Sequence, residues 1–96
     1  MYKFKRTLGY KAWFNKLRDL KGKAKIKVRL KRLSEGNPSD HKALGSGVVE
    51  LRIKTRPGYR VYYIQKDDVL IVLLAGGDKS TQSQDIKTAK ALAKEL

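Results

Sequence analysis

Polar and apolar positions change rhythm several times along this chain, and each change marks an element. Tyr2-Lys3-Phe4-Lys5 alternates, the pattern of a short strand with one wet face. Between Leu8 and Leu20 the apolar positions Trp13, Leu17 and Leu20 follow the four-then-three spacing of a helical stripe. Gly22 is expected to turn the chain there. Lys23 to Leu30 supports two readings. Ala24, Ile26, Val28 and Leu30 alternate with Lys and Arg, which taken alone is a strand. Wound as a helix, Ile26, Leu30 and Leu33 share one face and Val28 sits off it. The abundance of Lys and Arg and the stop at Gly36-Asn37-Pro38 favour the helix, so a basic helical hairpin is expected.

After Pro38 the period becomes two. Gly45-Ser46-Gly47 opens a strand that places Val49, Leu51 and Ile53 inward and Glu50, Arg52 and Lys54 outward on a wet face. Pro57-Gly58 marks a turn. Tyr59 to Gln65, rich in β-branched and aromatic residues, returns as the second strand of a hairpin, with Tyr59 and Tyr63 facing the core. Asp67-Asp68 turns the chain into Val69–Leu74, a continuously apolar run suited to a strand buried on both faces and ended by Gly76-Gly77. In the closing segment Thr81 and Gln84 have capping-box spacing, Asp85 suits the first turn, and Ile86, Ala89, Ala93 and Leu96 form a helical stripe. The order is β-α-α-β-β-β-α. It describes a single α+β domain over residues 1–96, a mostly antiparallel sheet packed against an N-terminal helical hairpin and a C-terminal helix.

Charge adds what the pattern lacks. The chain carries 23 Lys and Arg against 9 Asp and Glu, a net charge of +14. The excess is uneven: residues 1–36 hold 13 basic and 2 acidic side chains, residues 37–96 hold 10 and 7. Such a concentration attracts polyanions, and binding of nucleic acid through it should weaken steeply with salt. A solvated basic face or an acidic protein partner are the blander readings. With no cysteine and one histidine, His41, neither disulfides nor a protein-held zinc site are expected, and no cofactor is implied. The longest apolar run is too short to cross a membrane, and no signal peptide is visible, so the cytoplasm is the expected compartment.

Chemistry concentrates on the predicted hairpin. A turn about Pro57 sets Lys54 opposite Arg60 and Arg52 opposite Tyr62, all on one face. Facing cations are unfavourable unless an anion sits between them. A phosphate would resolve the array, with Arg60 bonding it bidentately and Lys54 as a point charge; Glu50 pairing with Arg52 or Lys54 is the alternative. Such a cluster can also support RNA cleavage, in which a 2′-hydroxyl attacks the adjacent phosphorus. That reaction needs stabilisation of phosphorane charge, a base and an acid. Arg60 suits the first role. Neighbouring cations favour a neutral lysine, so Lys54 is the expected base. Arg52, Tyr62 and Lys79 are the candidates for the acid. Gly76-Gly77-Asp78-Lys79-Ser80 is not a nucleotide loop, because Asp78 breaks the Gly-Lys pair and Leu73 stands where a glycine is required. Lys79 and Gln82 are nevertheless expected near the hairpin.

Three stretches give the chain a family likeness: Leu44 to Ile53, Pro57-Gly58-Tyr59-Arg60-Val61-Tyr62-Tyr63, and Leu73 to Gln82, followed by Asp85-Ile86. Through them it resembles the RelE/ParE superfamily of toxins from type II toxin–antitoxin modules, in particular the addiction-module killer branch related to HigB. The resemblance implies a compact sheet with helices on one side, and it supports the helix at Lys23–Leu30. It implies cleavage of mRNA in the ribosomal A site by Arg52, Lys54 and Arg60. Lys79 then substitutes for the last-strand arginine, or the C-terminal tyrosine or histidine, that many nuclease members carry. The basic hairpin, with Lys23, Lys25, Lys27, Arg29, Lys31 and Arg32, would grip ribosomal RNA. The implied partners are the ribosome, mRNA and a cognate antitoxin, often DNA-binding. A gyrase-poisoning toxin like ParE and a non-catalytic RNA-binding module are the competing functions.

Overall fold

In the computed structural model, which describes residues 1–96, β1 (Lys3–Arg6) leads into α1 (Leu8–Lys16) and α2 (Leu20–Ser34). Then come β2 (His41–Gly45), β3 (Val48–Arg52), β4 (Arg60–Gln65) and β5 (Leu70–Gly77). A single 3₁₀ turn, Lys79–Thr81, enters α3 (Gln82–Lys94). The five strands form one sheet in the order β1-β5-β4-β3-β2, antiparallel except where β1 runs parallel to β5. This is the α+β architecture that the pattern predicts, with one strand more. No helix is long and apolar enough to cross a membrane.

Side chains leave the sheet alternately, so the two faces acquire separate cores. On one face Leu51, Val61, Tyr63, Ile71 and Leu73 pack with Tyr10 of α1 and with Ile26, Leu30 and Leu33 of α2. On the other, Val48, Tyr62, Ile64, Val72 and Leu74 pack with Ala89 of α3. Helices therefore cover both faces, not one as the resemblance implies. The face expected to be wet lies under α3, and Glu50, expected outside, is fully buried. The apolar run in β5 needs both covers: Ile71 and Leu73 enter the first core, Val72 and Leu74 the second.

The helical reading of Lys23–Leu30 holds. Ile26, Leu30 and Leu33 are buried, and Val28 is half exposed. The break between the helices falls at Leu17–Asp19, not at Gly22. Asp19 caps α2 by accepting from the Gly22 amide at 2.9 Å and the Tyr59 hydroxyl at 3.0 Å. Gly22 sits inside the first turn because the Tyr59 ring occupies the space a Cβ would need. Those two hydrogen bonds hold the Asp19 carboxyl below its ordinary range.

Strand β2 has no counterpart in the sequence reading. Its residues are mostly exposed, and it is joined to β3 by Ser46 and Gly47, both with positive φ. The capping box also falls earlier than Thr81 and Gln84. Asp78 and Thr81 form it around the 3₁₀ turn, and the Thr81 hydroxyl donates to Asp85 at 2.6 Å.

Two adjacent glycines at the end of β5 let side chains approach from opposite faces. A Cβ on Gly76 would run into the Trp13 ring, and one on Gly77 would run into the Asp85 carboxylate. Trp13 also packs edge-on against Tyr59, with ring centroids 6.2 Å apart. Gly76→Ala should therefore expel Trp13 and cost about 2 kcal/mol, as overpacking does. Thermal denaturation should show a melting point roughly 10 °C lower; an unchanged one would mean that Trp13 has another place to go.

Candidate functional site

The hairpin of β3 and β4 supplies most of the site, and a hydroxyl sets its shape. Thr55 Oγ1 accepts from the amides of Gly58 and Tyr59 at 3.1 and 3.0 Å. The Ile53 amide donates to the Tyr59 carbonyl at 2.9 Å and closes the loop. The loop is thus centred on Arg56, one residue before Pro57, and the pairing shifts by two. Arg52 faces Arg60, and Glu50 faces Tyr62. The expected pairs, Lys54 with Arg60 and Arg52 with Tyr62, are not formed. Parity is preserved, however, so the basic side chains still belong to one face.

Two arginines directly opposed would repel, and the buried Glu50 carboxylate lies between them. Arg52 Nε donates to Glu50 Oε1 at 2.9 Å, and Arg60 Nε lies 3.6 Å from Oε2, an ion pair beyond hydrogen-bond range. Gln82 Nε2, from the start of α3, donates to Oε2 at 2.9 Å. Burial raises the Glu50 carboxyl's proton affinity. The hydrogen bonds from Arg52 and Gln82, with the charges of Arg60 and Arg52, outweigh burial and hold it below its usual range. The salt-bridge alternative is therefore realised with Arg52 and extended to Arg60. Tyr62 lies below this bridge, fully buried, with its hydroxyl unpaired and its ionisation pushed up, by burial first and then by Glu50. It does not reach the surface where an acid would be needed.

Above the bridge is a cleft of about 290 Å³. Arg52, Lys54, Arg56, Arg60 and Lys79 line it, with Asp40 as its one acid. Lys79 is brought in by its own amide, which donates to the Pro57 carbonyl at 3.1 Å. Arg60 is the more constrained arginine: its side chain is 14% exposed, and Nη1 donates to the Gly58 carbonyl at 2.6 Å. Arg52 is 38% exposed and makes no hydrogen bond through its Nη atoms. The cleft thus presents guanidinium edges whose orientation is set from below, an arrangement suited to a phosphate.

Of the predicted catalytic set, Arg52, Lys54, Arg60 and Lys79 converge on this cleft, and Tyr62 does not. Arg56 and Asp40 were missed. Arg56 belonged to a loop whose centre was misplaced, and Asp40 precedes a strand that was not recognised. The basic residues of α2 divide. Lys25, Lys27, Lys31 and Arg32 are exposed. Lys23 is half-buried, with Nζ 5.1 Å from the centre of the Phe14 ring. Arg29 is committed internally: it donates to the carbonyls of Arg52, Pro38 and Asp40 and straps α2 to the end of β3. That use removes it from the surface set expected to grip RNA.

Comparison with known proteins places this geometry in a family. Residues 12–96 match the family described as Phage derived protein Gp49-like (DUF891). An uncharacterized protein of Haemophilus influenzae is 53% identical over 92 residues, covering 96% of this chain and 93% of its own length.

Replacing Glu50 by glutamine tests the bridge, because it keeps the shape and removes the charge. The loss should be about 2 kcal/mol in chemical denaturation, less than for a fully buried pair because Arg52 reaches solvent. A depressed carboxyl stabilises above its unfolded value, about 4.3, and the contribution disappears as pH falls through the folded value. The gap between wild type and Glu50→Gln should accordingly be constant from pH 7 to about 5 and narrow in more acid solution. A gap independent of pH down to 2 would show that folding leaves the proton affinity of Glu50 unchanged, and that the arginines do not hold its charge.

Proposed function

The chain belongs to the Gp49-like family of phage-derived proteins, and from that premise we propose that it is the toxin of a type II toxin–antitoxin system, related to RelE and HigB, that cleaves mRNA on the ribosome. The observation that carries the reading is the cleft in which Arg52, Lys54, Arg56, Arg60 and Lys79 meet above the Glu50 bridge.

In this reading a phosphodiester lies across the two arginines. Charge that builds on the non-bridging oxygens during 2′-hydroxyl attack meets donors already oriented, so little reorganisation is needed as the phosphorane forms. Lys54, exposed at the mouth, takes the 2′-hydroxyl proton. Lys79, at the turn before α3, is the remaining proton carrier for the leaving 5′-oxygen, since Tyr62 is buried and Arg52 is held by Glu50 beneath the phosphate. Lys25, Lys27, Lys31 and Arg32 extend the cationic surface along α2, where ribosomal RNA would be held. A cognate antitoxin, with an acidic surface complementary to this one, would keep the toxin silent.

A non-catalytic RNA-binding role is the second reading, favoured by one observation: with Tyr62 buried, the cleft's proton-transfer groups are two lysines and the single carboxylate of Asp40, with no tyrosine hydroxyl among them. Toeprinting of a defined mRNA on translating ribosomes separates the two. The proposal expects new cuts at the A-site codon, slowed by about 10²-fold or more in Lys54→Ala, with no loss of melting temperature because Lys54 is exposed. Undiminished cutting by Lys54→Ala would remove Lys54 from the mechanism. Intact mRNA with bound protein would leave a binding module, and intact mRNA without binding would turn the test to gyrase supercoiling.

A further inference from the structure

Beside the cationic cleft lies a groove of about 490 Å³ that the reaction as described does not use. Ala24 and Val28 of α2 form one wall and Ile53, just beyond β3, forms another. Val28 is 51% exposed, so part of an apolar face stands open to solvent. Asp40, Ile53 and Lys54 line both hollows, which makes groove and cleft one continuous depression.

Asp40 is the anomaly in it. Its backbone carbonyl receives Arg29, but its carboxylate makes no ion pair or hydrogen bond within the chain. An acid left without a partner in a depression lined by cations weakens the hold on phosphate. It is, however, the right acceptor for N–H groups on the edge of a base. A carboxylate can take N1–H and N2–H of guanine together; it takes one amino group from cytosine or adenine. Uracil offers a single N–H flanked by two carbonyls that a carboxylate repels. The aliphatic walls suit the flat faces of a base. No aromatic platform lines the groove, so the edge must supply the discrimination.

We infer that this groove is a nucleobase pocket, taking the base next to the phosphate held by Arg52 and Arg60, and that Asp40 selects guanine there. The inference rests on the reading that RNA occupies the cleft. An acidic protein segment, the kind of protein partner a net charge of +14 favours, would meet Asp40 as a like charge.

The test is fluorescence anisotropy at low salt with labelled hexanucleotides made uncleavable by 2′-O-methylation. One is all uridine, one has a single central guanosine, and one has a central abasic site. Wild type should bind the guanosine hexamer about tenfold more tightly than the all-uridine one. Asp40→Asn should lose that preference, while binding the other two slightly more tightly because a negative charge is gone. Val28→Asn, an exposed position that does not disturb the core, should weaken the guanosine hexamer. If wild type binds all three alike, the groove is not a base pocket, the RNA reading of the cleft stands, and an acidic protein segment becomes its occupant. If no hexamer binds, the pocket fails, and the RNA reading of the cleft is decided by toeprinting on ribosomes.

Discussion

A buried carboxylate between two opposed arginines is the constraint on which the rest of this protein depends. Arg52 and Arg60 face each other across β3 and β4 and would push the strands apart without Glu50. Glu50 could not remain charged inside the sheet without them. Gln82 adds the third contact and carries the bridge into α3, so the helix that covers this face is tied to the same group. The arrangement serves folding and binding together. Charges that cost stability when unpaired become, once paired from below, donors held at the floor of a cleft.

The two faces of the sheet divide the remaining work. The side under α1 and α2 is apolar and aromatic, with Tyr10, Trp13 and Phe14 in mutual contact and Tyr59 edge-on against Trp13. It anchors the basic helix through Ile26, Leu30 and Leu33. The side under α3 is apolar only in part and gives its end to the charged bridge. Arg29 links them: it leaves α2 and bonds the backbone at Arg52, so the helix bearing the exposed cations is fastened to the strand bearing the site. Thr55 performs the same service for the loop, and the Lys79 amide for the turn before α3.

Much of this could be read from the sequence, and the failures have physical causes. Alternation along β3 and β4 put Arg52 and Arg60 on one face, and parity survived even though the register was wrong by two residues. The register depended on Thr55 turning its hydroxyl into the loop, which no periodicity reports. Glu50 looked exposed because it alternates with apolar neighbours; only the docking of α3, through Ala89 and Gln82, reveals that its face is covered. The perfect alternation in Lys23–Leu30 mimics a strand because Lys or Arg occupies every second position, and burial of Ile26, Leu30 and Leu33 decides for the helix. Strand β2 escaped because His41-Lys42-Ala43-Leu44-Gly45 has neither β-branched residues nor an alternation, and it exists by pairing with β3.

The most direct measurement of the central claim is nitrogen-15 NMR of the arginine side chains during titration with inorganic phosphate. The account predicts that the Arg52 Nε–H is protected from exchange and stays so as phosphate is added, while the Nη signals of Arg52 and Arg60 shift together. An Arg52 Nε–H that exchanges at the rate of free arginine, or Nη signals indifferent to phosphate, would contradict it.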